Sequence, residues 1–235
     1  MTLRSGLALL AAILGVAGLV WLGLWQVERQ AWKLALIERV ETRAHAVPVP
    51  LPGDWSAPDA ARDEYLHVTL AGRFRHADET LVQAVTDHGA GYWVLTPLET
   101  DGRMVLVNRG FVPPEARDPA TRAAGQIPGE VTVTGLLRMS EPGGGFLRAN
   151  DPTAGRWYSR DTVAIAAVRG LDPVAPWFVD ADATPNPGGL PIGGLTVIAF
   201  HNNHLVYALT WFALAFGLGW ATVYVIRERI RPAGG

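Results

Sequence analysis

Residues 6–25 read GLALLAAILGVAGLVWLGLW and residues 205–226 read LVYALTWFALAFGLGWATVYVI, so a long apolar run lies near each end of the chain. The first run has 20 residues, the second has 22, and neither contains a charged side chain. At a helical rise of about 1.5 Å per residue, each run reaches roughly 30 Å, the thickness of the hydrocarbon core of a bilayer. We therefore expect a membrane protein in which two transmembrane helices flank one soluble insert.

The first run is expected to be an uncleaved anchor. It is longer than the apolar core of a signal peptide, which has about 7–15 residues, and Trp21, Leu24 and Trp25 stand where a small-residue cleavage site would be. An Arg- and Ser-rich organellar presequence is also missing before it. These features favour a bacterial membrane protein over a mitochondrial precursor.

The charges that flank the two runs predict the orientation. Arg227, Arg229 and Arg231 follow the second run, and Arg4 with the α-amine precedes the first. Basic residues in short flanks favour the cytoplasmic side, so both termini are expected there and the insert in the periplasm. The expected divisions, for a multi-pass protein of the bacterial inner membrane, are a cytoplasmic N-terminus (1–5), a transmembrane helix (6–25), its helical extension (26–47), a periplasmic β-rich domain (48–204), a second transmembrane helix (205–226) and a cytoplasmic tail (227–235).

The insert has the pattern of a β domain. Trp25, Trp32, Leu36 and Val40 lie on one helical face, so the first helix should continue out of the bilayer until the prolines that begin at Pro48. Short runs rich in β-branched and aromatic residues follow and predict strands at 65–74, 79–87, 92–100, 103–112, 130–139, 176–182 and 195–200. Asp101-Gly102 predicts a tight hairpin turn, and 161–169 a short helix. We expect a mainly antiparallel, barrel- or sandwich-like domain.

Composition excludes several classes of function. The chain has no cysteine, so it can hold neither a disulfide framework nor a thiolate metal site. A net charge of −2 gives no reason to expect a nucleic-acid partner. The sequence has no GxSxG, HExxH or phosphate-loop motif, and we therefore do not expect an enzyme. The segment RWYSRD at 156–161 fits either a polar docking patch or a solvated strand end.

His204 is the clearest candidate for a cofactor-binding residue. It lies in the first turn of the second predicted span, where ionisable residues are scarce and usually functional. Its helical face continues through the aromatic and small side chains Tyr207, Ala208, Trp211 and Ala215. A neutral imidazole beside flat rings suits haem iron. The alternative is an interfacial histidine that bonds a loop carbonyl or a lipid headgroup.

The neighbours of His204 have narrower roles. His201 is three residues before His204 on the same predicted helical face, where Cβ atoms lie about 5–6 Å apart. The two imidazoles would point the same way and could not approach opposite sides of one porphyrin. Asn202 or Asn203 is expected to cap the helix, a contact worth about 1 kcal/mol.

Three further residues are candidates for cofactor binding. Trp25 and Gln26 lie at the outer end of the first span, where Gln26 either bonds the second helix or only marks the membrane surface. Arg109, in the segment Asn108-Arg109-Gly110, could bind a carboxylate such as a haem propionate. The alternative for that segment is a plain turn at a strand end.

Four stretches, 23–37, 107–113, 176–182 with 191–197, and 202–215, resemble the Surfeit-locus-one (Shy-type) family of cytochrome c oxidase assembly factors. The resemblance implies a non-enzymatic role in building a haem-copper oxidase, in which bacterial members bind haem a and assist its insertion into subunit I. His204 matches the family's haem-ligand histidine, and Trp25 and Gln26 match its other membrane-interface signature. His201 stands apart from the family pattern.

The resemblance leaves two functions open. One is a transient haem a carrier with subunit I, haem a synthase and membrane lipids as partners. The other is a haem-independent scaffold that stabilises subunit I, for which His204 would be dispensable.

Overall fold

The computed structural model describes residues 3–51, 58–145, 147–198 and 202–230. They fall into two compact units, Met1–Arg39 with Ala199–Gly235, and Val40–Ile198. The first is helical and the second is built mostly of β-strands.

Two long helices form the helical unit. Helix α1 spans Leu3–Ala44 without a break, so it contains both the first apolar run and most of the segment predicted to extend it. Helix α4 spans His204–Ile230. Both are long and apolar enough to cross a membrane, as the two runs predicted.

Small residues let α1 and α4 approach closely. Gly23 lies against the ring of Phe212, because a Cβ atom placed there would stand 2.5 Å from a ring carbon. A Cβ at Gly15 would stand 3.0 Å from a methyl carbon of Leu218. Since residue numbers rise along α1 as they fall along α4, the helices pack antiparallel.

The β unit contains a closed sheet. Its strands are β1 (Val49–Pro50), β2 (His67–Phe74), β3 (Thr80–Thr86), β4 (Gly89–Thr100), β5 (Arg103–Val112), β6 (Glu130–Met139) and β9 (Val174–Ala181), with β7 (Gly144–Gly145) and β8 (Arg148–Ala149) as a separate short pair. The order β2-β6-β9-β5-β4 closes on itself, because Arg73 and Phe74 of β2 pair with Glu99 and Leu98 of β4. The predicted barrel-like domain is therefore observed.

Most pairings are antiparallel, as expected, but β5 and β9 run parallel, as do β1 and β2. The chain can return to β5 in parallel because a long connection, which includes helix α3 (Thr162–Arg169), precedes β9. A second short helix, α2 (Ala60–Asp63), was not predicted.

The predicted hairpin turn and the predicted short helix are both observed. Asp101 and Gly102 adopt φ values of 48° and 70°, which a two-residue hairpin turn of the primed type needs. Asp161 caps α3, since its carboxylate accepts from the backbone N–H of Ala164. Gly170 ends the helix in the left-handed conformation.

One predicted strand is wrong. Residues 195–198 belong to no strand, and 199–200 lie outside the described residues. This segment follows a single bridge between Ile192 and Phe111, and Thr196 then donates its hydroxyl to Asp180 rather than joining a ladder.

Alternating residues of the strands divide the core into two main layers. All five barrel strands contribute to the inner cluster, which includes Val68, Leu98, Val107, Leu137 and Trp177. The opposite face of β4, β5 and β9 packs against β3 and α3 in a second cluster. Each fully buried aliphatic or aromatic side chain contributes about 1.5–3 kcal/mol, so these layers fix the strands that carry the polar residues below.

Candidate functional site

The helical unit brings His204 and Gln26 together. The Nδ1 atom of His204 lies 2.7 Å from Oε1 of Gln26. An amide oxygen only accepts, so Nδ1 is the donor in this contact, and in the neutral ring Nε2 would keep its lone pair. Of the two alternatives for Gln26, a bond to the second helix is the one observed.

Helix α4 begins at His204 itself. The backbone carbonyl of Asn203 accepts from the N–H of Tyr207, whereas Oδ1 of Asn202 is buried and has no partner in the described part of the chain. The side-chain cap expected from an asparagine is therefore not observed there. His201 lies outside the described residues, and its role stays a prediction.

Aromatic side chains lie close in sequence to Gln26 on α1 and to His204 on α4, and they differ in exposure. Tyr207 is 53% exposed and Trp25 is 41% exposed. Trp211 is half-buried, and Ala208 on the same helix is buried. The outer turns of the two helices thus carry both flat apolar rings and an imidazole.

Arg29 adds a cation that the candidate residues did not include. Its guanidinium carbon lies 5.8 Å from the ring centroid of Trp25 and 5.5 Å from that of Trp32. The spacings of four and three residues put all three side chains on one helical face, and this spacing is a signal that the sequence already contained. Arg29 is exposed and belongs to the same unit as His204.

Arg109 belongs to the β unit, and the interpretation of its segment as a turn is wrong. Asn108, Arg109 and Gly110 lie inside β5, which continues to Val112. Gly110 has a φ of 123°, and a Cβ there would stand 2.0 Å from the carbonyl oxygen of Ile192. The glycine is needed for this close backbone approach, and the strand continues past it.

Arg109 is only 2% exposed. Its Nη2 donates to the carbonyl of Gly125 at 2.5 Å and to Oδ1 of Asn186 at 2.6 Å. It also stacks on the ring of Phe74, 4.8 Å from the centroid. Whether this residue contacts a haem propionate stays a prediction.

A second arginine network centres on Asp180. This buried carboxylate accepts from Asn108 at 2.7 Å, from Arg138 at 2.9 Å, and from Arg160 at 3.0 Å. Burial lowers the pKa of each arginine, but Asp180 and the neighbouring glutamates more than offset this and raise it above its usual value. Arg160 is thus a partly buried member of an ion network around Asp180 rather than a solvated strand end; the docking patch at 156–161 stays a prediction.

In the described ranges, no group of three or more His, Asp or Glu side chains could hold a metal ion.

Two helices that are long and apolar enough to cross a membrane stand on either side of a β-barrel unit in the chain, and a His–Gln pair joins the helices. The chain thus belongs to the class of proteins in which two candidate membrane helices flank a β domain. The model of the SURF1 family matches residues 13–216. The chain therefore belongs to the SURF1 family.

Its curated relatives are similar over most of their length. Surfeit locus protein 1 of Mus musculus is 40% identical over 210 residues, which cover 82% of this chain and 67% of the mouse protein. The Homo sapiens protein of the same name is 39% identical over 222 residues, covering 87% of this chain and 71% of the human one. A SURF1-like protein of Monosiga brevicollis is 38% identical over 209 residues, or 83% of this chain and 78% of that protein.

Proposed function

We propose that this chain is an assembly factor for a haem-copper cytochrome c oxidase, which binds haem a through His204 and assists its insertion into subunit I. Membership of the SURF1 family supports a role in oxidase assembly. The 2.7 Å contact between His204 and Gln26 is the observation that carries the haem proposal.

The donor set of His204 would suit a ligand of haem iron. Metal-bound histidines almost always donate their second ring nitrogen to an acceptor, which fixes the tautomer and the orientation of the ring. Gln26 supplies that acceptor, and no partner occupies Nε2 in the part of the chain that the structure describes. When bound, haem a would supply the iron that takes this nitrogen and the farnesyl tail that requires an apolar environment.

The surrounding residues supply the remaining contacts. Trp25, Tyr207 and Trp211 offer flat apolar surface for the macrocycle. Arg29 is an exposed cation in the same helical unit, so we assign the propionates to it rather than to Arg109, which is buried in the β unit. The two apolar helices would hold the tail of the haem among lipids.

The proposal includes a location for the chain in the membrane. Both termini would be cytoplasmic and the β unit periplasmic, in the bacterial inner membrane, because the basic flanks of both helices favour the cytoplasm. Haem a synthase would then supply the haem and subunit I would receive it.

A scaffold that holds subunit I without haem is the second candidate. The small residue Gly217 favours it, because a Cβ there would meet no atom within 4 Å and neighbouring Ala213 is exposed. Small residues on an open face allow close approach of another transmembrane helix. This function would not need His204.

An optical spectrum distinguishes the two functions. The full chain is purified after co-expression with haem a synthesis, beside a His204→Ala variant and a His201→Ala control, each checked for folding by circular dichroism. We expect reduced haem a absorption to co-purify with the parent and the control and to be lost from His204→Ala. If His204→Ala retains all the haem, the ligand assignment fails and the scaffold takes its place.

A further inference from the structure

An open groove of about 560 Å³ lies beside strand β3 in the β unit. Residues of β3, of β4 and of the short hairpin formed by β7 and β8 line it. Tyr92 and Tyr158 bring aromatic rings to the groove, and Arg148 brings a cation. The described residues that line it include no Asp or Glu.

Part of the outer edge of β3 is open to this groove. Strand β3 stands at the end of the sheet order, next to β4. The segment at Trp157 covers the outer edge only as far as Gln83, whose N–H donates to the Trp157 carbonyl at 2.9 Å. Alternate residues of a strand direct their N–H groups to the same side, so Val85 also points its N–H outward. Val85 lines the groove and makes no backbone hydrogen bond outside the β3–β4 ladder in the described chain.

Two exposed arginines stand over the tyrosines without a carboxylate partner. The guanidinium carbon of Arg148 lies 5.5 Å from the ring centroid of Tyr158, and that of Arg117 lies 5.4 Å from the ring centroid of Tyr92. Among the described residues, no carboxylate oxygen lies within 4.0 Å of either guanidinium, unlike those of the arginines around Asp180. The groove therefore has positive charges that the chain itself does not neutralise by a close ion pair.

Apolar side chains also stand free beside the groove. Val85 is 86% exposed, and Leu147, which directly precedes Arg148, is 88% exposed. Leu147 has a φ of 58°, a left-handed conformation that leucine rarely adopts. Exposed apolar residues beside tyrosine and arginine, two residue types that interfaces enrich, favour a surface that a partner covers.

We propose that this groove is a docking site for an extended acidic segment of a partner protein, which adds a short strand to the open edge of β3. Its backbone bonds the N–H and C=O of Val85, as in other cases of strand addition. Every second side chain of an extended segment faces the same way, so acidic residues at such positions meet Arg148 and Arg117.

Charge argues against a second copy of the chain as the occupant. Strand β3 reads TLVQAVT and has no acidic residue, so pairing of two β3 edges would bring the arginines of both copies together without a counter-charge. The site does not depend on the proposed function, because it uses residues of the β unit alone.

The test uses the full chain in detergent, without haem, and a fluorescein-labelled peptide of alternating valine and glutamate with blocked ends. A peptide with lysine in place of glutamate is the matched probe, and fluorescence anisotropy at constant ionic strength measures the binding of each. We expect saturable binding of the glutamate peptide and an affinity for the lysine peptide that is lower by about tenfold or more. Equal affinities for the two peptides, or no binding of the glutamate peptide, would overturn the proposal.

A charge reversal locates the acidic side chains. Arg148→Glu should weaken binding of the glutamate peptide by about tenfold and strengthen binding of the lysine peptide by a similar factor. Arg73→Glu is the control, since Arg73 is an exposed arginine of β2 outside the groove, and it should leave both affinities unchanged. Equal effects of the two substitutions would show that the peptide responds only to the net charge of the chain, and this result would overturn the site.

Two variants at Val85 test the strand addition. Val85→Pro removes the outward N–H, a change that an edge strand tolerates, and it should abolish peptide binding. Val85→Thr keeps the N–H and the branched shape and should retain binding. Normal binding by a folded Val85→Pro variant would overturn the strand addition. Self-association of the parent chain in analytical ultracentrifugation, if the glutamate peptide does not reverse it, would assign the groove to a second copy instead.

Discussion

The Nδ1 atom of His204 donates to Oε1 of Gln26 across 2.7 Å, and the two residues are 178 positions apart in the chain. The contact joins the C-terminal end of the first apolar run to the first turn of α4. It fixes the orientation of the imidazole ring, and in the proposed function this ring binds the haem iron through Nε2.

Substitution of Gln26 by Ala should weaken haem a binding without removing the ligand. Loss of a second partner of a metal-bound histidine typically costs about 10–100-fold in affinity, because the ring loses its fixed tautomer. Titration of the purified apo protein with haem a measures this. Glu28→Gln is the matched control, since Glu28 is exposed on the same helix, and an equal loss in both variants would contradict a specific role for Gln26.

A methyl group at Gly23 should separate α1 from α4. The new Cβ would stand 2.5 Å from the Phe212 ring, so the ring must move, and overpacking of this kind costs about 1–3 kcal/mol. We expect Gly23→Ala to lower the free energy of unfolding in mixed SDS micelles by that amount. Gly217→Ala meets no atom within 4 Å and should not destabilise the chain. Equal destabilisation by both would show that the helices do not pack through Gly23.

The two helices, and the position of His204 in the first turn of α4, could be predicted because their signals are local. Apolar length, a turn dipeptide such as Asp101-Gly102 and a polar residue at a span end can each be read from a few neighbouring positions. The partner of His204 could be named only as an alternative, because nothing in the sequence fixes which residues of α1 face α4. The pairing requires the packed helices.

Arg109 shows the opposite case. Its flanking Asn108 and Gly110 are typical of a turn, and the sequence favoured that structure. Its actual partners, Gly125 and Asn186, are 16 and 77 residues away, and only tertiary structure brings them to one strand. Residues 195–198 do not form the predicted strand for a related reason, since β-propensity does not reveal that Thr196 bonds a buried carboxylate instead of a neighbouring strand.

The buried pair Arg122–Glu79 should be more important for stability than any exposed pair. Nη1 of Arg122 donates to Oε2 of Glu79 at 2.9 Å, with a second contact between Nη2 and Oε1. Arg122→Met leaves a buried carboxylate without its partner and should cost about 3–5 kcal/mol in urea unfolding.

Replacing both Arg122 and Glu79 tests whether the loss of stability comes from an unpaired buried charge. An Arg122→Met, Glu79→Leu double variant should recover most of the stability, because no buried charge remains. The exposed ion pair of Arg156 with Asp151 is the control, and Arg156→Ala should leave the urea midpoint unchanged. A double variant no more stable than Arg122→Met would mean that the arginine acts through its bond to the Ala116 carbonyl and not through charge.

His76 should make the β unit less stable in mild acid. Burial lowers the pKa of His76, and the charges of Arg109 and Arg122 lower it further, while its bond to the Ile127 carbonyl and the charge of Glu79 act in the opposite direction. The folded pKa therefore lies below the unfolded value of about 6.5. The unfolded chain takes up a proton first as the pH falls, so the free energy of unfolding is highest above about pH 6.5 and decreases toward the folded pKa.

Urea unfolding at pH 7.5 and 5.5 measures this loss of stability. His76→Gln should reduce the loss, whereas His88→Gln, at an exposed position, should not. A pH dependence that His76→Gln leaves unchanged would contradict the assignment to His76.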